Sequence, residues 1–413
     1  MTTSASDSST SAGPAGLLNA DRSTATDSSV SPGTPGASMP RRTRGTNGVL
    51  VHEWIAQSGG SENVLQAMSE LYSEADVVCL WNDSSGRFET DRVHQTWLAG
   101  SPLRRSKALA LPFMPATWRR LPYRGYDWAL ISSHLFAHHA HFLHQPSDFA
   151  RFVYVHTPAR YIWTPELDGR GNSLAAKAVA ASLKPLDRRR AQDGASFAAN
   201  SHFVRQRVRT AWDVDSQVIY PPVDVRKIQS VHDWRTQLTA TEEGQLAGLP
   251  AGFVLGASRF IPYKRLDLVI RVGEATGRPV VLAGKGPELA RLQSLAAAAS
   301  VPVTIIHAPS HALLYALYQQ TALFVFPAVE DFGIMPVEAM AAGAPVLAQS
   351  LGGTSESVVP GLTGALVPFD GRDDLAAAAG LAMATDREDR LVRARDFSHE
   401  RFLSQVAAWV GTA

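Results

Sequence analysis

The sequence predicts an α/β protein built from two tandem doubly wound domains that face each other across a cleft. Three observations carry this. Short apolar runs alternate with helical stretches along nearly all of the chain beyond residue 46. The alternation occurs twice, with a polar, proline-bearing stretch between the two halves. The length, 413 residues, is too great for one core of ordinary size.

Residues 1–46 are mostly Ser, Thr, Ala, Gly and Pro, with few large apolar side chains. Such a segment buries too little surface to offset its ordering entropy, so disorder is expected. Its end, "RRTRG", carries Arg41, Arg42 and Arg44, a solvated linker or a weak anchor to anionic lipid. The alternation then begins. "GVLVHEW" (48–54) reads as a strand, "GGSENVLQAMSELY" as a glycine turn and a helix, and "ADVVCLW" as a strand. "DWALISSH", "RFVYVHTP", "SFAANS" and "SQVIYPP" continue the series. The second half shows six runs: 252–258, 278–284, 303–308, 322–328, 345–350 and 364–369, with helices such as "PELARLQSLAAAA" between most of them. Strands in this rhythm require crossover helices and a mostly parallel sheet of Rossmann-like type. "PPVDVRKIQSVHDWRTQLTATEEGQLAGLPA" reads as the interdomain connection, and "FSHERFLSQVAAWV" as an amphipathic helix. The expected division is a tail over 1–46, Rossmann-like domains over 47–225 and 226–395, and a C-terminal helix over 396–413 that packs back on the first domain.

Composition narrows the function classes. Apolar residues make up 45% and charged residues 19%, as in an ordinary globular protein. Lys and Arg total 39 against 38 Asp and Glu, so the net charge of +1 gives no reason to expect a nucleic-acid partner. The single cysteine, Cys79, lies in the apolar run "DVVCLW" and reads as a buried structural residue. No apolar run has the length of a membrane span, and no basic segment followed by an apolar one opens the chain. A cytoplasmic protein is expected.

In open α/β sheets ligands bind beyond the carboxyl ends of the strands, so the residues just after each strand are the candidates. Glu330 and Asp331 follow the run 322–328; Gly333 permits a tight turn, and Pro336 suits the first turn of a helix that would also hold Glu338 and end at Gly343. Two carboxylates there can accept hydrogen bonds from a polyol; the alternative is a turn acid and a helix-start acid complementing the macrodipole. After 252–258 come Arg259, Lys264 and Arg265, residue types that neutralise phosphate, or else a solvated basic loop. Gly284 and Gly286 in "AGKGPEL" let backbone approach a ligand, as do Gly59 and Gly60 in "SGGSE". Gly352 and Gly353 precede a short helix bearing Glu356. His156 ends a strand in "YVHTPARYIW", where a neutral imidazole can bond a sugar hydroxyl or hold a reacting group. The histidine-rich "HLFAHHAHFLH" (134–144) suggests metal, but its spacing is mixed and no Cys or carboxylate joins it, which favours a partly buried helical face. Asp213-Val-Asp215 has the form of a metal–diphosphate pair but precedes a strand.

Taken together, these motifs resemble the retaining glycosyltransferases of family 4, which have the GT-B fold. The resemblance spans nearly all of 48–410 and rests on Arg259 with Lys264, Glu330-x7-Glu338, and "GGTSESV…GLTGALV" in that order. It implies an acceptor domain first and a nucleotide-sugar donor domain second. By the same resemblance Arg259 and Lys264 bind the donor diphosphate, and Glu338 binds the ribose. Glu330, with Phe332, Gly333, Ile334 and Met335, faces the transferred sugar. His156 lies near that sugar from the first domain, and Gly59 and Gly60 form the acceptor or phosphate loop. No metal or other cofactor is implied beyond the nucleotide-sugar co-substrate. Front-face attack would retain the anomeric configuration, with the leaving phosphate taking the acceptor proton. "IIHAPSHALLYALY" departs from the family's usual pattern at His307 and Pro309, at the base-binding edge. "VHTPARYIWTP" and "SRFIPYKRLDLVI" look most like bacterial mannosyltransferases of polysaccharide assembly. That makes GDP-mannose the first donor expected, with a saccharide or lipid-linked acceptor at the inner membrane face. The basic, aromatic stretch 102–125 reads as a peripheral membrane contact or as a solvated face. Two rival classes stand beside the enzyme: a nucleotide-sugar-binding scaffold without turnover, and a dinucleotide oxidoreductase, which lacks its full glycine fingerprint here.

Overall fold

The computed structural model describes residues 47–57, 59–84, 86–164 and 174–412. The expected disorder of 1–46, its arginines, and Ser58 of the first glycine turn lie outside the described residues.

Two parallel sheets form the two halves. The first contains β1 (Gly48–His52), β2 (Asp76–Cys79), β3 (Val93–Gln95), β4 (Trp128–Ser133), β5 (Ala150–Val155), β6 (Ser196–Ala199) and β7 (Gln217–Val218). Their order is β3-β2-β1-β4-β5-β6-β7, with every pairing parallel. The second contains β8 (Val254–Ala257), β9 (Val280–Gly284), β10 (Val303–His307), β11 (Leu323–Phe326), β12 (Val346–Gln349) and β13 (Gly364–Val367). Its order is β10-β9-β8-β11-β12-β13, again all parallel. The sequence reading supplied every strand but β3, whose three residues Val93, His94 and Gln95 are too polar and too few to show as an apolar run. In both sheets the order reverses beside the first strand, between β1 and β4 and between β8 and β11. Such a reversal opens a crevice where successive crossovers leave to opposite faces, and ligands bind there.

The central strands are apolar along their length rather than alternating, because helices cover both faces of each sheet. All six residues of β4 are buried. The helix Gly60–Leu71 packs Val64, Leu65 and Met68 on one face of the first sheet. On the second sheet, Leu268, Val269 and Val272 of the helix Leu266–Thr276 play the same part.

The stretch 221–251 is not a bare connection. It forms the helices Val225–Ser230 and Ala240–Ala247, and it inserts Val225, Ile228, Trp234 and Leu246 into the core of the second half. Trp234 packs against Tyr315, with ring centroids 4.8 Å apart and the planes tilted by 59°. Near its start the chain meets its own return: Val223 exchanges backbone hydrogen bonds with Phe397 and His399, pairing with Ser398 as a short parallel bridge. The helix His399–Thr412 then lies on the first half, with Phe402, Val406 and Trp409 buried against Leu50, Phe152 and Tyr154. Cys79 is buried at the end of β2, and burial pushes its thiol up to about 12, so it is inert. Among the described residues no helix is long and apolar enough to cross a membrane.

Candidate active site in the interdomain cleft

The site begins at the reversal point of the second sheet. β11 ends at Phe326, and the chain reaches Glu330 and Asp331 before the helix Ile334–Ala341. β8 ends beside it, and Arg259 follows within two residues, with Lys264 closing a 3-10 turn (Pro262–Lys264). Lys264 is buried against the ring of Phe326, and its ammonium donates a short charge-assisted bond to Glu330. Burial alone would raise the carboxyl of Glu330; the charges of Lys264 and Arg160 outweigh it and hold Glu330 below the usual carboxylate range. It is an ionised acid fixed between two cations. Arg259 stays exposed, donating to Tyr263 Oη at 3.3 Å.

The loop that holds Glu330 is buttressed from β12. Gly353 donates its N–H to the Glu330 carbonyl at 2.8 Å, and any Cβ on Gly353 would fall 2.1 Å from the carbonyl oxygen of Asp331. The glycine pair 352–353 therefore serves the backbone of the acidic loop. Gly284 and Gly286 act in a similar way. A Cβ on either would strike the backbone of Ser258 or Phe260, so these glycines allow a close approach to the neighbouring basic loop.

Glu338 differs from its expected place. The helix starts at Ile334, two residues before Pro336, after Gly333 in the left-handed conformation at φ 89°. That puts Glu338 beyond the first turn, where the macrodipole no longer explains an acid. Glu338 is half-buried, and burial, with Asp224 nearby, pushes its carboxyl up to about 7 from an ordinary 4.5. The unfolded chain gives up this proton first, so Glu338 makes stability fall as pH rises from about 5 through 7. Glu338→Gln, which resembles the neutral acid, is expected to match the parent in Tm at pH 5 and to exceed it by about 2–4 °C at pH 8. Equal Tm values at pH 8 would show that the carboxyl is not buried as described.

The first sheet contributes from its own reversal point. Its register sets His52 of β1 opposite Ser132 of β4. The Ser132 hydroxyl lies 3.0 Å from His52 Nδ1 and 2.8 Å from His156 Nε2, just past β5, donating to one ring and accepting from the other. Burial pushes His156 down to about 3 and His52 to about 4, so both rings are neutral at physiological pH. The Gly59–Gly60 turn opens the helix Gly60–Leu71, and a Cβ on Gly60 would lie 3.3 Å from Ile334 Cδ1. The glycine turn of the first half thus faces the helix start of the second.

Four further residues join the halves. Arg160, four residues past His156, donates to Asp331 at 2.6 and 3.0 Å and lies 3.6 Å from Glu330. Arg207 reaches the other oxygen of Asp331 at 2.5 Å. Glu356 accepts from the backbone N–H groups of His202 and Phe203, both at 2.8 Å, and so caps the helix His202–Trp212 from across the cleft. Sequence reasoning passed over Arg160 and Arg207 and gave Asp331 and Glu356 no partner. The one available signal was that Arg160 shares a segment with His156.

The reading of the histidine-rich stretch changes, whereas Asp213 and Asp215 precede a strand as the sequence indicates. Over 134–144 the chain forms only a 3-10 turn (Ala137–His139), not a helical face, and a carboxylate does join it. Asp187 Oδ1 lies 3.1 Å from His138 Nε2 and 2.9 Å from His139 Nε2, while Oδ2 accepts from the indoles of Trp163 and Trp212, both at 2.7 Å. Asp213 and Asp215 sit at the amino end of β7, away from the cleft. Asp213 closes the helix His202–Trp212, and Asp215 pairs with Arg205 and Arg209.

Comparison with known proteins agrees with the two-domain fold. Residues 58–227 match "Glycosyltransferase Family 4", and residues 247–395 match "Glycosyl transferases group 1". A D-inositol 3-phosphate glycosyltransferase of Mycobacteroides abscessus is 30% identical over 190 residues, 42% of this chain and 43% of that protein. The one from Mycolicibacterium smegmatis is 34% identical over 152 residues, 34% of this chain and 35% of that protein. The chain thus matches less than half the length of these curated relatives. Among solved structures, Anabaena Alr3699/HepE in complex with UDP-glucose has a TM-score of 0.62 at 19% identity, covering 89% of this chain and 100% of that one. The sucrose-phosphate synthase of Thermosynechococcus elongatus has a TM-score of 0.63 at 18% identity, covering 88% and 98%. The chain carries a family 4 glycosyltransferase domain followed by a group 1 glycosyl transferase domain, together forming the GT-B fold.

Proposed function

We propose that the protein is a retaining glycosyltransferase that moves a hexose from a nucleotide sugar to a saccharide or lipid-linked acceptor. The observation that carries this reading is Glu330: an ionised carboxylate, clamped by Lys264 and Arg160, at the reversal point of the second sheet. A carboxylate so held accepts hydrogen bonds from sugar hydroxyls without taking their protons. The diphosphate would lie against Arg259 and Lys264, whose charges stabilise it as it leaves. Glu338 would take the ribose hydroxyls, and the N–H groups of Phe332 to Met335 would lie along the sugar.

In the reaction the bond between the anomeric carbon and the phosphate oxygen breaks. The acceptor oxygen bonds to the same face of that carbon, and its proton passes to the departing phosphate. No protein base is needed on the opposite face, and the His156 ring, which burial pushes down to about 3, is only a weak one. Its role would be to hold the sugar from the first domain. With two cations meeting the diphosphate, the scheme calls on no metal.

For the sugar, the motifs around His156 and Arg259 support mannose from GDP-mannose. UDP-glucose is the second donor to test, because the HepE structure holds it. Thermal unfolding with GDP, UDP, ADP and their sugar conjugates tests the reading. A ligand at 100 times its Kd adds about 2.7 kcal/mol, a shift of several degrees. A selective shift with one nucleotide is expected. No shift with any of them would overturn the donor site.

A further inference from the structure

A second cavity, of about 590 Å³, lies outside the cleft at the β3 edge of the first sheet. It runs from the carboxyl end of β3, at Thr96 and Trp97, to the connection that leads into β4, at Pro122 and Arg124. Its volume is that of a small-molecule site. Val78, Phe113, Leu121 and the Trp97 ring make its walls mostly apolar, with Arg120 and Arg124 at its polar end.

Two independent features mark it as a binding site. The first is an aromatic mouth held in place. Trp97 is 57% exposed, yet its indole N–H donates to Thr117 Oγ1 at 3.0 Å, and that buried hydroxyl donates in turn to the Phe113 carbonyl. Phe113, 45% exposed, meets Trp97 edge-on at 6.2 Å. Fixing two large rings in water costs solvation unless something apolar covers them. The second is charge. From 97 to 125 the sequence has Arg104, Arg105, Lys107, Arg119, Arg120 and Arg124 and not one acid. Arg104 and Arg119 are paired with Asp83 and Asp193. Arg105, Arg120 and Arg124 are exposed and have no ion-pair partner among the described residues.

We infer that this cavity takes the apolar chain of a phosphate-bearing amphiphile, with Arg120 and Arg124 on the phosphate. Guanidinium forks suit phosphate oxygens, and the rings of Trp97 and Phe113 suit a hydrocarbon chain. As a binding site this stands apart from the donor chemistry; as the place where a lipid-linked acceptor docks, it rests on the transfer reading above.

Titration of the full chain with dodecyl phosphate, below its micelle threshold, tests it. One site per chain is expected, with a neutral dodecyl glucoside at least tenfold weaker and inorganic phosphate competing only at concentrations far above the amphiphile's Kd. Arg120→Ala with Arg124→Ala, and separately Trp97→Ala, should each weaken binding at least tenfold. Equal binding of the neutral amphiphile, or unchanged affinity in both variants, would overturn the assignment. Binding to phosphatidylglycerol vesicles without binding of monomeric dodecyl phosphate would also overturn it, since a bilayer surface rather than the cavity would then be the partner. Each variant is checked for the parent's Tm and for its nucleotide-induced shift, so a failed lipid site and a failed donor site give different results.

Discussion

Glu330→Gln is expected to lower kcat by about a thousandfold while leaving nucleotide binding unchanged or slightly tighter, on the scale of losing one preorganised electrostatic contact in an active site. The amide keeps the shape of the side chain. It removes the charge that Lys264 and Arg160 now face, so those cations become freer to meet a diphosphate. Nucleotide affinity by thermal shift and transfer with a defined acceptor are the two readouts. A variant that binds and does not turn over supports the enzyme reading. Unchanged turnover would remove Glu330 from the reaction. A variant with full biological function but no transfer in the parent would favour a scaffold that binds nucleotide sugars without using them.

The second large effect concerns folding. Asp187→Ala should cost about 3–5 kcal/mol, the range for removing one partner from a buried ionic cluster. Asp187 is fully buried and hydrogen-bonds three rings, the indoles of Trp163 and Trp212 and the imidazole of His139, with the His138 ring 3.1 Å away. Burial disfavours its charge, but His138 and His139 overcome this and hold the carboxyl well below its usual range. Its loss leaves the indoles of Trp163 and Trp212 without their acceptor. It also loosens the helix Arg160–Trp163, which carries the arginine of the cleft. Denaturant unfolding and Tm measure the effect; a Tm drop of roughly 10 °C is expected. A loss below about 1 kcal/mol would mean the cluster is not a folding anchor.

Much of this was legible in the amino acids because parallel strands buried on both faces leave continuous apolar runs. "DWALISSH" and "ALFVFPA" declare β4 and β11 without help. β3 was hidden because an edge strand with one neighbour needs little apolar surface, and Val93-His94-Gln95 has little. Glu330 and Lys264 could be placed because they follow strands directly. The partners of Asp331 could not: Arg160 and Arg207 lie 171 and 124 positions away, and charge complementarity at that distance leaves no local pattern. Asp187 was missed for the same reason. It sits 48 residues from His139, on the helix Leu174–Ala191. Glu338 was misplaced by a turn because Pro336 is tolerated anywhere in the first three helical positions, and the helix took the last of them.

The bridge between Val223 and Ser398 has a topological consequence. The chain leaves the first half before Val223 and covers it again with the helix that follows Ser398, so the second half is an insertion whose two connections are held together at this bridge. Any motion of one half against the other must carry both connections together, because backbone hydrogen bonds join them. A protease that nicked one connection would not release either half. Nor is either half a natural unit for separate production: a fragment ending before residue 398 would leave bare the apolar face that Phe402, Val406 and Trp409 cover.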